Sequence, residues 1–163
     1  MEIVAITLEN RLQYVLQLER DIQDYIKIFK AIKGEECREK YKNFKHILPF
    51  EKITDGMIGC LESHIEILKK AKRNIIIFED DCEYVSSSNE FFVKDFDIMC
   101  LGTNENVEFT PIKGTNYGRV YRFWGTHALF IRYDTIKYIL ETYEKYKNLK
   151  VFLPADWLYS TAI

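Results

Sequence analysis

What the 163-residue sequence has little of sets the first limits. It has no excess charge of either sign: 23 basic residues stand against 25 acidic ones, a formal net charge of −2. That balance gives no basic face large enough for a nucleic acid. Cysteine is sparse, and Cys37, Cys60, Cys82 and Cys100 lie far apart, mostly in apolar runs. They read as reduced, small hydrophobic residues of a cytoplasmic protein and not as a disulfide frame or a zinc site. No window approaches the ~20 apolar residues that span a bilayer, and no charged segment followed by a long apolar run opens the chain. The expectation is a soluble, intracellular protein with no transmembrane segment. Internal repeats and low-complexity tracts are also missing.

What is present is a globular composition, 47% apolar and 15% aromatic, enough for one domain with its own core. Glu2 to Leu8 is apolar and β-rich, a first strand. Leu12, Val15, Leu16 and Ile22 then recur at helical spacing, with Asn10 placed as N-cap. Tyr25 to Ala31 alternates as a second strand and stops at Gly34. Strand, helix and strand with short joins imply a parallel pair. Glu35 to Ile53 is charged and irregular and reads as a connecting loop.

Thr54-Asp55-Gly56 is a helix start. Met57, Leu61, His64, Ile65 and Leu68 follow on one stripe, and Lys69, Lys70, Lys72 and Arg73 suit the negative end of the helix. Later segments read as a polar break at Ser86 to Asn89, a short helix at Glu90 to Lys94 and a buried strand from Asp97 to Leu101 ending at Gly102. Thr103 to Gly118 reads as a long loop, and Arg119 to Trp124 and Thr126 to Arg132 as two strands joined near Gly125. Asp134 is placed as the cap of a helix with Ile136, Ile139, Leu140, Tyr143 and Tyr146 on one face. A last short helix begins at Pro154. The fold class is α/β: a mostly parallel sheet flanked by helices in a single compact domain.

One stretch organises the rest. Asn74-Ile75-Ile76-Ile77-Phe78 is a strand buried on both faces, and it runs directly into Glu79, Asp80 and Asp81. Adjacent carboxylates repel one another and resist desolvation. Either this is a solvated acidic turn, or a divalent cation such as magnesium or manganese sits there and leaves positions for substrate phosphates. The carboxyl end of a strand in an open α/β sheet is the edge where ligands bind.

Several segments together resemble a known family. Gly56-Met57-Ile58-Gly59-Cys60-Leu61-Glu62-Ser63-His64-Ile65 resembles the G-x-x-G-C-x-x-S-H helix of glycosyltransferase family 25, which includes lipooligosaccharide and collagen galactosyltransferases. The apolar strand ending in Glu79-Asp80-Asp81 follows at the family's distance. Further matches are the opening strand with Arg11, Ala31-Ile32-Lys33-Gly34, Asp97 to Gly102, Gly125-Thr126 and Pro154-Ala155-Asp156-Trp157. Family members usually continue well past the last motif, whereas this chain stops at Ile163, so it reads as short at its C-terminus.

The resemblance implies a GT-A-like (Rossmann-like) fold, a UDP-sugar donor, manganese or magnesium, and inverting transfer of a hexose, galactose or glucose, to a glycan or protein hydroxyl acceptor. In that scheme Asp81 is the direct metal ligand and Glu79 a second, with Asp80 or Glu79 holding the ribose or an ordered water. Thr7, Leu8 and Arg11 border the nucleotide, and Arg11 could pair with a phosphate or a carboxylate. Ser63, His64, Gly102, Gly125 and Thr126 complete the donor pocket. Asp156 is the base that takes the acceptor's proton.

Blander readings stand beside these roles. Asp156 is also a favoured helix N-cap type, and His64 lies in an apolar stripe where a satisfied core histidine is the commoner case. His127 departs from the small residue usual in the family and is taken as incidental, and His46 carries no signal. Trp124 and Trp157 could stack on a sugar or base. Two other functions compete: a catalytically silent GT-A module that serves as a binding or assembly partner, and a response-regulator-type phosphotransfer domain. Those domains carry their acidic pair after the first strand, where this chain has only Glu9.

Overall fold

The computed structural model describes residues 1–49, 51–85, 96–102, 109–114, 117–121 and 125–162. In chain order its elements begin with β1 (Glu2–Thr7), a 3₁₀ turn (Glu9–Arg11), α1 (Leu12–Ile22), β2 (Lys27–Lys30), α2 (Gly34–Tyr41) and β3 (Lys45–His46). Next come α3 (Asp55–Lys70), β4 (Ile75–Glu79), β5 (Ile98–Gly102), β6 (Phe109–Pro111), β7 (Gly118–Val120) and β8 (Ala128–Ile131). The chain finishes with α4 (Tyr133–Asn148), β9 (Val151–Phe152) and α5 (Ala155–Thr161).

Five strands form the central sheet in the order β2-β1-β4-β8-β5. β1 is parallel to β2 and to β4, while β8 runs antiparallel to both β4 and β5. Four of the five strands therefore share one direction, so the expectation of a mostly parallel sheet is borne out. β4 is flanked on both sides, which is why its Ile75, Ile76 and Ile77 can all be buried. The period-2 side-chain alternation splits the core. Val4, Ile6, Ile75 and Ile77 pack with residues of α3, α4 and α5, whereas Ala5 packs with Val15, Leu18 and Ile26 on the other face. The architecture is a mixed α/β domain with helices flanking a central sheet.

α3 is buried well beyond its predicted stripe. Ile58, Gly59, Glu62, Ser63 and Ile67 are buried as well, because α2, α4 and α5 pack against the helix and its apolar side chains share one core with the sheet. Thr54 caps it as expected, its hydroxyl accepting from the Met57 N–H at 3.2 Å. On α4, Ile136, Ile139 and Tyr143 are buried, and Leu140 and Tyr146 pack against the same core.

Several expectations are corrected. Residues 35–53 are not simply loop, since they hold α2 and β3, and β3 pairs in parallel with β9. The signal was weak because α2 carries only Cys37 and Tyr41 as apolar residues at helical spacing and β3 is two residues long. Gly34 starts α2 rather than ending a strand, and a side chain there would fall 1.8 Å from the Asp55 carbonyl oxygen.

Residues 109–111, inside the expected loop, pair with residues 118–120, its last residue and the start of the expected 119–124 strand, as a separate antiparallel ribbon, so β7 partners β6 and not β8. Three caps were misplaced: Arg11, Arg132 and Pro154 occupy the N-cap positions of α1, α4 and α5, without side-chain cap bonds. Asn10 instead lies in the 3₁₀ turn, while Asp134 and Asp156 sit in the first turns of their helices. The predicted short helix at 90–94 and Trp124 lie outside the described residues.

Candidate functional site

β4 delivers its carboxylates between the end of β1 and the start of β8, since Ile6 lies opposite Glu79 and Ala128 opposite Phe78. The backbone N–H of Glu79 donates to the His127 carbonyl at 2.8 Å, which fixes where the strand ends. From there the three acidic side chains diverge.

Glu79 turns inward. Its Oε1 accepts from His64 Nε2 at 3.1 Å, from the Thr126 hydroxyl and from the Cys60 thiol at 3.6 Å. His64 is completely buried, and the Tyr159 hydroxyl lies 2.7 Å from its Nδ1. Burial by itself would raise the Glu79 pKa, but the hydrogen bond and charge of His64, with the bonds from Thr126 and Cys60, outweigh it and hold the carboxyl at about 2. Glu79 is therefore an anion throughout the physiological range. Burial also drives the Cys60 thiol far above its ordinary value, with Glu79 adding to the effect, so Cys60 stays a protonated donor.

Asp80 turns sideways. Arg11 Nη1 lies 3.0 Å from Oδ1, Arg11 Nη2 donates to the Asp80 carbonyl at 3.4 Å, and the Leu8 N–H donates to Oδ2 at 3.1 Å. Of the two partners foreseen for Arg11, a phosphate or a carboxylate, the structure supplies the carboxylate. Thr7 is buried just before this bracket and its hydroxyl donates to the Leu8 carbonyl at 2.9 Å.

Asp81 turns outward. Its side chain is 41% exposed, and Oδ1 lies 2.9 Å from His127 Nδ1. His127, taken as incidental from the sequence, thus stands against the residue placed first as metal ligand.

The fourth carboxylate arrives from α5. Asp156 Oδ1 accepts from the Trp157 N–H at 2.9 Å and Oδ2 from the Gly125 N–H at 3.3 Å. Gly125 has φ +84°, a conformation other residues adopt only with strain. Burial raises the Asp156 pKa, the backbone N–H bonds oppose that, and the nearby Glu79 charge adds to the rise. Gly125 and Thr126 thus hold one carboxylate each, Asp156 and Glu79.

The α3 motif divides between two faces four residues apart. Cys60 and His64 point to Glu79. Gly59 and Ser63 face the 31–34 turn instead: the Ser63 hydroxyl accepts from the Ile32 N–H at 2.9 Å and donates to the Gly59 carbonyl at 2.7 Å. Ser63 is completely buried, so the structure places it as a brace and not beside the carboxylates. Gly102 ends β5 opposite Ala128. Trp157 is half-buried and packs against the main core.

The structure therefore brings His64, Glu79, Asp81, Gly125, Thr126 and Asp156 to one place, with Thr7, Leu8, Arg11 and Asp80 alongside. It adds Cys60, His127 and Tyr159. Cys60 was detectable, lying one helical turn before His64, and His127 directly follows a motif residue. Tyr159 carries no signal of its own in an apolar segment.

Two sets of side chains have donor atoms within 4.8 Å of one another: Cys60, His64 and Glu79, and Glu79, Asp81 and His127. The first is internally hydrogen bonded around a protonated thiol. The second offers two carboxylates and an imidazole at the strand end, a donor set that fits a divalent cation such as manganese.

Sheet and cluster together define a mixed α/β domain with carboxylates gathered at the carboxyl end of β4 and backed by a buried imidazole. Over residues 3–159 the sequence matches glycosyltransferase family 25 (LPS biosynthesis protein). The chain belongs to that family, as the motif resemblance indicated, and membership makes it a glycosyltransferase of LPS biosynthesis with a sugar donor and an acceptor. No curated protein matches it. None of the helices among the described residues is long and apolar enough to cross a membrane.

Proposed function

We propose that this chain is a metal-dependent, inverting GT-A glycosyltransferase that moves a hexose, galactose or glucose, from a UDP-sugar to a hydroxyl of a glycan or protein acceptor. The observation that carries the reading is the convergence of Glu79, Asp81 and His127 at the carboxyl end of β4, with Asp156 joined to Glu79 through Gly125 and Thr126. Asp81, Glu79 and His127 would hold the cation, manganese or magnesium, which when bound supplies positive charge against the diphosphate.

The chain's own residues do the rest. Thr7, Leu8 and Arg11 border the nucleotide, kept beside β4 by Asp80. His64 fixes the Glu79 carboxylate in one orientation, and Gly102, Gly125 and Thr126 shape the sugar side. Asp156 accepts the proton as the acceptor oxygen bonds to the anomeric carbon, whose bond to the diphosphate breaks with the electron pair leaving on UDP. The raised Asp156 pKa moves the group in the direction a general base needs.

Thermal unfolding with UDP and manganese tests this reading. Saturation at about 100 times Kd contributes roughly 2.7 kcal/mol, a rise of about 5–10 °C for a domain of this size. Asp81→Ala removes the rise and leaves the unliganded melting temperature within a few degrees of wild type, because the side chain is exposed. A melting temperature indifferent to both ligands would refute the proposal. Binding without release of UDP from any sugar donor would favour the silent module.

A further inference from the structure

Away from the carboxylates, α2, β3, residues 49 and 51–53 and the start of α3 line a cavity of about 570 Å³ that is open to solvent. No member of the β4 cluster lines it. Its volume is within the range of small-molecule sites, roughly 300–1,000 Å³. Phe44, Ile53 and Ile58 supply apolar wall. The charged lining is one-sided: Arg38, Lys42, Lys45 and Lys52 against Glu51. Arg38 is bonded to Asp55 at 2.6 Å and Lys42 to Glu39. Lys45 and Lys52 have no ion-pair partner among the described residues.

The decisive group is His46. Its side chain is 2% exposed and its Nε2 has no hydrogen-bond partner among the described residues. The Leu48 backbone N–H donates to Nδ1 at 3.0 Å, and the Leu48 carbonyl oxygen lies 3.1 Å from the same atom. A backbone N–H cannot switch to accepting, so Nδ1 is the acceptor and the neutral ring carries its proton on Nε2. The Glu51 carboxylate, 3.7 Å away, is beyond hydrogen-bond reach. A buried N–H donor and two unpaired ammonium groups thus line one cavity and lack an acceptor. For the buried imidazole N–H the lack of a partner is costly, and with the two exposed ammonium groups, which water hydrates, beside it the arrangement suits an oxyanion.

We propose that this cavity is a second ligand site that binds an anionic monosaccharide, a sugar phosphate or a uronate. The oxyanion accepts from His46 Nε2 and lies near Lys45 and Lys52, and the ring packs on the apolar wall. The proposal is independent of the donor and metal reading.

The chain has three histidines, His46, His64 and His127, so ¹⁵N-histidine labelling gives a spectrum with built-in controls. Glucose 6-phosphate, glucuronate, inorganic phosphate and glucose are titrated in turn at millimolar concentration. Glucose 6-phosphate or glucuronate is expected to shift His46 Nε2 saturably and to leave His64 in place, while glucose does nothing. The exposed double variant K45Q/K52Q weakens binding about tenfold with an unchanged circular dichroism spectrum. Glu51→Gln binds at least as tightly as wild type. The proposal is overturned if neither sugar anion moves His46, if glucose moves it equally, or if K45Q/K52Q binds unchanged. Inorganic phosphate binding as tightly as glucose 6-phosphate would overturn the saccharide assignment.

Discussion

Glu79→Gln turns the restraint on the strand-end carboxylate into a measurable stability difference. The Glu79 carboxyl is held at about 2 when folded, against an ordinary value of 4.5. At about 1.36 kcal/mol for each tenfold change in proton affinity, that depression corresponds to about 3.4 kcal/mol. With 23% of its side chain exposed, the group is buried enough to keep most of that. The folded pKa is depressed, so the contribution is fully present above pH 4.5 and is lost as pH falls toward 2. By linkage about 2 kcal/mol of it is gone at pH 3.

Urea unfolding of wild type and Glu79→Gln, followed by circular dichroism from pH 3 to 7, isolates this group because every other carboxylate is common to both proteins. The stability difference is expected to be largest and flat above pH 5 and to shrink by about 2 kcal/mol on reaching pH 3. Parallel curves over that interval would mean that His64, Thr126 and Cys60 do not hold the anion as argued.

Two further substitutions probe the supports of the site. Gly59→Ala places a methyl 2.5 Å from the Ile32 carbonyl oxygen, and even after the helix-propensity gain of about 1 kcal/mol it costs about 2 kcal/mol net, read as a melting temperature lower by about 4–8 °C. Glu62 is buried and accepts from Lys40 at 2.7 and 2.8 Å, from Tyr143 at 2.9 Å and from Tyr41. Glu62→Leu alone is expected to lose about 2–3 kcal/mol in urea unfolding, since it strands two hydroxyls and an ammonium, whereas adding Lys40→Met restores part of that loss.

The legible parts of the chain were those with a strong period or a chemically unusual junction. Ile75 to Ile77 followed by three acids located the central strand and its acidic end, and the 54–70 periodicity located α3. Short or charged elements were not legible. β3 and β9 are two residues each and are specified by pairing with one another across a hundred residues, which no local window detects. α2 is anchored by Gly34 against Asp55 and by Lys40 and Tyr41 reaching Glu62, contacts that exist only once α3 is in place. At the site the motif residues were legible as a group, but their division of labour was hidden. Nothing in the spacing says that Ser63 grips the Ile32 backbone while His64, its neighbour, serves Glu79.

Three adjacent carboxylates would require a cation only if their surroundings left them unpaired. Each has acquired a protein donor of its own: His64 for Glu79, Arg11 and the Leu8 N–H for Asp80, and His127 for Asp81. The like-charge repulsion is therefore largely offset within the fold, and a metal is not needed to explain why the sequence tolerates the triplet. What speaks for a cation is the asymmetry of the three. Glu79 and Asp80 are tied into neighbouring elements, whereas Asp81 is exposed and shares its region with an imidazole and the anionic Glu79. A residue serving only to bridge β4 to its neighbours would be expected to be shielded from solvent as Glu79 and Asp80 are, with side chains 23% and 12% exposed. The consequence is an asymmetry of effects: under the proposed function, substitution at Glu79 lowers stability as well as ligand response, whereas substitution at Asp81 lowers ligand response with little change in stability.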